Sequence, residues 1–187
     1  MKPNTGEKII LGIDPGTTVT GYGLISVTGK IPSLIALGII DLRKKEDHFR
    51  KIRTIFEQTL ALIDQYHPDE FAIEAQFFGK NVQSMLKLGR AQGAAISAAL
   101  YRDLPVFEYA PRMIKMSITG RGQASKEQVA TMLSTILTFR GEKMVLDATD
   151  ALGAALCHFY QSARPASSGS SGSWEAFVRN NSARVKG

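Results

Sequence analysis

The sequence predicts a single α/β domain built on a mixed five-stranded sheet with helices on both faces. Three observations predict it. Three strand-like runs joined by hairpin-type turns open the chain, helical and extended runs alternate after them, and 187 residues suffice for one domain with a real core.

The first strand runs from Lys8 to Ile13 and ends in Asp14-Pro15-Gly16, which is turn chemistry. Tyr22 to Val27 and Leu34 to Ile40 are the next two, joined through Thr28-Gly29-Lys30. Asp47 to Tyr66 reads as an amphipathic helix, with Phe49, Ile52, Ile55, Phe56, Leu60 and Ile63 at helical spacing and His67-Pro68 as its stop. Glu70 to Glu74 is a short strand. Val82 to Leu100 is Ala-rich and apolar, the pattern of a helix mostly buried in the core with one face able to pack closely against a partner copy. Pro105 to Tyr109 is the fifth strand, and Pro111 to Ile118 begins with a proline suited to a first helical turn. Gly120-Arg121-Gly122 reads as a basic loop. A helix from Ser125 to Leu137 follows, with Ser125 as its N-cap, and Asp147 to Tyr160 is the last core helix. Residues 1–161 therefore form the domain. Residues 162–187 form a tail whose Ser167 to Ser173 stretch holds only Ser and Gly, ahead of a basic segment with Trp174 and Phe177 that reads as disordered or weakly docking.

Composition narrows the function classes. No apolar run approaches the ~20 residues that span a bilayer. Met1 to Lys8 lacks the pattern of a secretory signal, and the lone Cys157 rules out an internal disulfide framework, so a cytoplasmic setting is expected. Between Ala75 and Lys126 lie eight basic residues and two acids, an excess equal to the net charge of +6 for the whole chain. A basic stretch of this density suits a polyanion, nucleic acid first, or else a set of solvated helix faces.

Four acids stand where strand and helix ends gather. Asp14 closes the first strand and Glu74 the strand after the first helix. Asp147 and Asp150 open the last helix three residues apart, hence on one face. Carboxylates held close raise one another's pKa unless a cation neutralises them, and Mg²⁺ takes such oxygen ligands. Each acid also has a plainer reading: an Asx-type turn for Asp14, an N-cap for Asp147 with Asp150 favoured by the helix dipole, a surface acid for Glu74. His48, His67 and His158 lack metal-ligand spacing and read as structural, and Cys157 reads as core.

The order of motifs adds a resemblance. Ile10-Leu11-Gly12-Ile13-Asp14-Pro15-Gly16 with Val19-Thr20-Gly21-Tyr22-Gly23, then Ile73-Glu74, Phe77, Lys80-Asn81 and Leu86-Lys87-Leu88-Gly89-Arg90-Ala91-Gln92-Gly93, resemble the first two motifs of the RuvC Holliday-junction resolvases. Pro105 to Pro111, Ile114-Lys115, Gly120 to Gly122, Lys126 and Asp147-Ala148-Thr149-Asp150-Ala151-Leu152 continue the resemblance to about His158. Ala75 departs from the pattern, because the family often has Gln directly after the motif Glu.

The resemblance implies a ribonuclease-H-like fold and a crossover junction endodeoxyribonuclease, a metal-dependent hydrolase of DNA recombination and repair. It implies a homodimer that binds one four-way junction and makes paired symmetric nicks with 5′-phosphate and 3′-hydroxyl ends. Asp14, Glu74, Asp147 and Asp150 match the family's catalytic carboxylates, holding one or two Mg²⁺ per subunit, with Mn²⁺ as a substitute. Phe77 matches an aromatic implicated in opening junction bases, although Phe77 or Phe78 equally suits the core. Lys115 and Lys126 match basic residues near the scissile phosphate, and Lys80, Asn81, Lys87, Arg90 and Arg121 complete the expected DNA-binding set. A branch-migration motor of the RuvA–RuvB type is the implied partner. Three other readings compete: a branched-DNA binding module without turnover, a nuclease acting on another substrate such as structured RNA or flaps, and a phosphotransferase of the actin and sugar-kinase type, whose phosphate hairpin Gly12 to Thr18 resembles.

Overall fold

The structure, a computed structural model, describes residues 6–44, 47–75, 81–138 and 146–163. Its elements, in chain order, are β1 (Glu7–Asp14), β2 (Val19–Thr28), β3 (Ile31–Asp41), α1 (His48–Tyr66), β4 (Glu70–Glu74), α2 (Val82–Tyr101), β5 (Val106–Tyr109), α3 (Pro111–Thr119), α4 (Lys126–Ile136) and α5 (Leu146–Ser162). Every strand and helix expected from the sequence is present.

The five strands form one sheet in the order β3-β2-β1-β4-β5. β1, β2 and β3 pair antiparallel as a meander, while β4 and β5 join parallel to β1. The parallel half needs crossovers, and α1 and α2 supply them. Strand side chains alternate between faces, so odd and even positions of β1 enter different cores. Leu11 and Ile13, with Leu24, Phe71 and Ile73, pack against α1 and α2. Ile10, with Ile25 and Ala72, packs against α3, α4 and α5. Both faces are therefore covered, as expected.

Local chemistry sets the helix ends. Asp47 caps α1 by accepting a hydrogen bond from the Arg50 amide at 3.1 Å, and His67 ends it in the left-handed region at φ 47°. Ser125 and Gln128 form a reciprocal capping box at the start of α4. α5 is already helical at Leu146, so Asp147 lies inside its first turn, which corrects the N-cap reading.

α2 has two unlike faces. Its Ala91, Ala94, Ala95, Ala98 and Ala99 are buried, but its first half stands clear of the core. Val82, Leu86, Gly89 and Gly93 are exposed, as is Leu100 at the far end. At 100° per residue these five fall in one narrow stripe opposite the alanines. The helix buries one face and leaves an apolar one open.

Candidate active site

The alternation that builds the two cores also aims the acids. Asp14 shares the parity of Ile10 and Gly12, and Glu74 that of Ala72, so both carboxylates emerge on the α5 face. They sit at the C-terminal ends of neighbouring parallel strands, one residue beyond the paired Ile13 and Ile73. Ligand sites gather at such ends in open α/β sheets. The hydroxyl of Thr20 binds Gly16, donating to its carbonyl at 3.2 Å and pinning the turn that follows Asp14.

α5 lies unusually close to the sheet because two glycines make room. A Cβ at Gly21, the register partner of Asp14, would stand 1.9 Å from the Asp147 carbonyl oxygen. A Cβ at Gly12 would stand 2.1 Å from the Ala151 carbonyl oxygen. Only a residue without a side chain permits this approach, and it carries the first turn of α5 down onto Asp14.

As a result, Asp14, Asp147 and Asp150 each offer a carboxylate oxygen within 4.8 Å of the others. Glu74 stands just outside this trio and is coupled to it through Asp14 and Asp150. Burial, then the charges of Glu74, Asp150 and Asp147, pushes the Asp14 carboxyl up to about 8, with Lys126 opposing. Burial and Asp150 push Glu74 up to about 7, against the pull of Lys126 and Lys115. Without a cation, the cluster therefore holds on to protons at neutral pH. The donor set is all carboxylate oxygen, with no sulfur or imidazole in the trio. Such a set suits a hard divalent cation of the Mg²⁺ type.

One basic side chain reaches into the cluster. Lys126 is the first residue of α4, and its ammonium forms an ion pair with Asp150. Burial works against its charge, but Asp150, Asp14 and Asp147 together raise its pKa. Lys115, half-buried on α3, lowers Glu74 from a second side.

The remaining expected residues spread outward. Lys87 and Arg90 are exposed on α2, Arg121 is exposed in the loop before α4, and Asn81 caps α2 by accepting from the Ser84 amide at 3.1 Å. Phe77 and Lys80 lie outside the described residues.

His158 has a role that spacing did not reveal. It is 2% exposed and bridges Tyr109 Oη at 2.6 Å and Glu70 Oε2 at 2.5 Å. A carboxylate only accepts, so Nε2 carries the hydrogen and Nδ1 accepts from Tyr109 in the neutral ring. Burial lowers the His158 pKa in spite of Glu70, which favours that neutral ring. Lys8 reaches the same Glu70 oxygen at 2.5 Å. The network joins β1, β4 and β5 to α5, two turns and more beyond the acids. Its one sequence signal is that Glu70 shares the strand face of Glu74.

The family model described as crossover junction endodeoxyribonuclease RuvC matches residues 10–158. A crossover junction endodeoxyribonuclease RuvC of Bacteroides fragilis is 60% identical over 182 residues, covering 96% of this chain and 97% of the relative. That alignment leaves out only about seven residues, so it includes Trp174 to Val178. Thermus thermophilus RuvC superposes with a TM-score of 0.74 at 32% identity, covering 82% of this chain and 95% of its own. T. thermophilus RuvC in complex with Holliday junction substrate gives 0.73 at 29%, covering 83% and 95%.

Proposed function

Because the chain belongs to the RuvC family of crossover junction endodeoxyribonucleases, we propose that it resolves four-way DNA junctions by nicking two opposing strands. The observation that carries this reading is the meeting of Asp14, Asp147 and Asp150 at the carboxyl end of the sheet, with Glu74 beside them. Acids from three distant parts of the chain are held together at a cost that bound protons or a divalent cation relieve.

Asp14, Asp147 and Asp150 would hold Mg²⁺, with Glu74 completing the set and Mn²⁺ as a substitute. When bound, the ion supplies charge neutralisation, Lewis-acid polarisation of the phosphate and a lowered water pKa. The protein's own groups do the rest. Asp14 and Glu74, fixed by sheet register, and Asp147 and Asp150, fixed by one helical turn, give the cluster its shape. Lys126 and Lys115 bring positive charge to the edge where a phosphate would enter. Lys87, Arg90 and Arg121 are exposed and would add basic contacts to DNA, together with Asn81 at the head of α2 and, from the sequence just before it, Lys80 and Phe77. Contacts of this kind orient DNA and make its binding sensitive to salt.

A homodimer accounts for paired nicks. The open stripe of Val82, Leu86, Gly89, Gly93 and Leu100 fits a second copy of itself. The apolar residues supply burial, and the two glycines, with nothing within 4 Å of an added Cβ, permit close helix approach. A branch-migration motor of the RuvA–RuvB type is the partner this reading assigns.

The test is a labelled synthetic four-way junction with Mg²⁺. Wild type is expected to give symmetric nicks on two opposing strands with religatable ends. Asp14→Asn, isosteric but uncharged, is expected to bind the junction and leave it intact. Undiminished cutting by Asp14→Asn would remove the active-site assignment.

A further inference from the structure

A second concave surface lies on α3, away from the acids. Ala110, Met113, Met116, Ser117, Tyr160 and Gln161 line most of a groove of about 690 Å³ between α3 and the last turns of α5, with Arg112 at its edge. Met113 is 46% exposed and Met116 48%, so two large apolar side chains stand open to water. Methionine is flexible and polarisable, and it packs well against aromatic rings.

We propose that this groove seats the chain's own C-terminal segment, Trp174 to Val178. The first argument is position. Tyr160 and Gln161 form one wall of the groove, and the chain leaves α5 directly after them, where the Ala163 amide still bonds to the Phe159 carbonyl at 3.0 Å. Trp174 follows after a Ser/Gly-rich run. A chain of Ser/Gly-rich composition and that length would cover roughly 17–20 Å root-mean-square, enough to return to the last turn of the helix. Such tethering gives the segment an effective concentration of order millimolar, well above that of an untethered competitor.

The second argument is chemical fit. Trp174, Phe177 and Val178 stand at the i, i+3, i+4 spacing of a single apolar face. Glu175 is the acid of the tail and Arg112 the cation of the groove. The third argument is that the segment lies within the region aligned with the B. fragilis relative, although the family model ends at residue 158. The groove occupies the side of α3 that carries Met113 and Met116, and Lys115 is half-buried beside Glu74. Docking would therefore brace the helix that presents Lys115. The inference stands without the nuclease reading, because its test involves neither DNA nor metal.

Trp174 is the one tryptophan of the chain, so its fluorescence reports the segment directly. The experiment measures acrylamide quenching of the full-length protein at several dilutions. It compares wild type with Met116→Glu in the groove and Phe177→Asp in the tail, with circular dichroism to verify folding. The expected result is several-fold weaker quenching in wild type than in urea, unchanged on dilution and lost in both variants. Phe177→Asp alters no residue of the α/β domain, so it keeps the test decisive even where Met116→Glu misfolds. Wild-type quenching equal to that in urea overturns the proposal. Protection that survives Phe177→Asp overturns it as well. Protection that disappears on dilution overturns it in favour of a second copy as the occupant.

Discussion

The ammonium of Lys126 rests on the carboxylate of Asp150, joining the first turn of α4 to the first turn of α5. The Ser125–Gln128 capping box fixes the turn from which Lys126 projects. The Lys126 charge is thus set at the rim of four acids, where it holds down the pKa values of both Asp14 and Glu74. In the metal-free protein it is the cluster's internal counter-charge. With DNA bound, the same position suits a phosphate oxygen.

Lys126→Ala is therefore expected to slow cleavage more than it weakens binding. One lost phosphate contact lowers the salt slope of binding by about one and affinity only modestly. Loss of a charge aimed at the reacting phosphate costs about 10²-fold in rate. Single-turnover cleavage at saturating enzyme, set beside junction binding without metal, separates the two. Equal loss of both contradicts a place near the scissile bond.

The acids also make stability depend on pH, with a sign that metal reverses. Asp14 titrates near 8 in the folded protein against 3.8 for an ordinary Asp, so the native state binds the extra proton between those values. Stability of the metal-free protein then falls as pH rises through that window. His158 has the opposite sign. Its folded pKa lies below the ordinary 6.5, so its contribution is complete above pH 6.5 and declines as pH falls below it. Between pH 6.5 and 8.5 the acids act alone among these groups. Thermal unfolding in EDTA is expected to show a declining midpoint over that range, steeper in wild type than in Asp14→Asn. Mg²⁺ is expected to raise the midpoint more at pH 8.5 than at 6.5, since there it displaces fewer protons. A wild-type midpoint that rises with pH in EDTA would contradict the crowding of the cluster.

Much of this was legible in the sequence, and the illegible parts share a cause. Strand and helix limits followed from periodicity and from punctuation such as His67-Pro68 and Ser125. Asp147 and Asp150 were placed on one face by helical geometry alone. What periodicity lacks is distance between elements. It did not tell that Gly12 and Gly21 lie beneath the backbone of α5, that Glu70 and Tyr109 meet on His158, or that Lys126 reaches Asp150. For α2 it left open which residues form the buried face and which the open one, because an Ala-rich, apolar composition describes both equally well.

Gly21→Ala tests the close approach. The added methyl would fall 1.9 Å from the Asp147 carbonyl oxygen, a backbone atom that cannot turn aside, so α5 must shift. Overpacking of this kind costs about 1–3 kcal/mol. The more telling effect is on activity, since displacing Asp147 by even ~1 Å can cost about 10²-fold. Gly29→Ala is not a fair control, because Gly29 has φ +63°. Gly89→Ala controls for folding alone, since its Cβ meets open space on a helix and about 1 kcal/mol of monomer stability is expected in return. Its place on the α2 face assigned to a second copy excludes it as a control for cleavage. Cleavage and urea unfolding of Gly21→Ala at a temperature where it is fully folded give the comparison. Wild-type rates there would show that the acids tolerate movement of α5.

The stripe on α2 leads to the last prediction. Leu86 is 52% exposed on the same face as Val82, Gly89 and Gly93. If that face joins two copies, Leu86→Glu places two like charges at a two-fold contact and empties it of apolar burial. The monomer should lose little, because an exposed side chain contributes little to its core. Sedimentation is expected to show a dimer for wild type and a monomer for Leu86→Glu at the same concentration, with unchanged thermal unfolding of the individual chain. The consequence for cleavage follows from symmetry. Two sites in one complex cut both strands of an extruded cruciform in a plasmid and give linear DNA. A monomer cuts one strand, after which the relaxed plasmid reabsorbs the cruciform, and nicked circles accumulate. Linear product at the wild-type rate from a variant that sediments as a monomer would separate paired nicking from the α2 face.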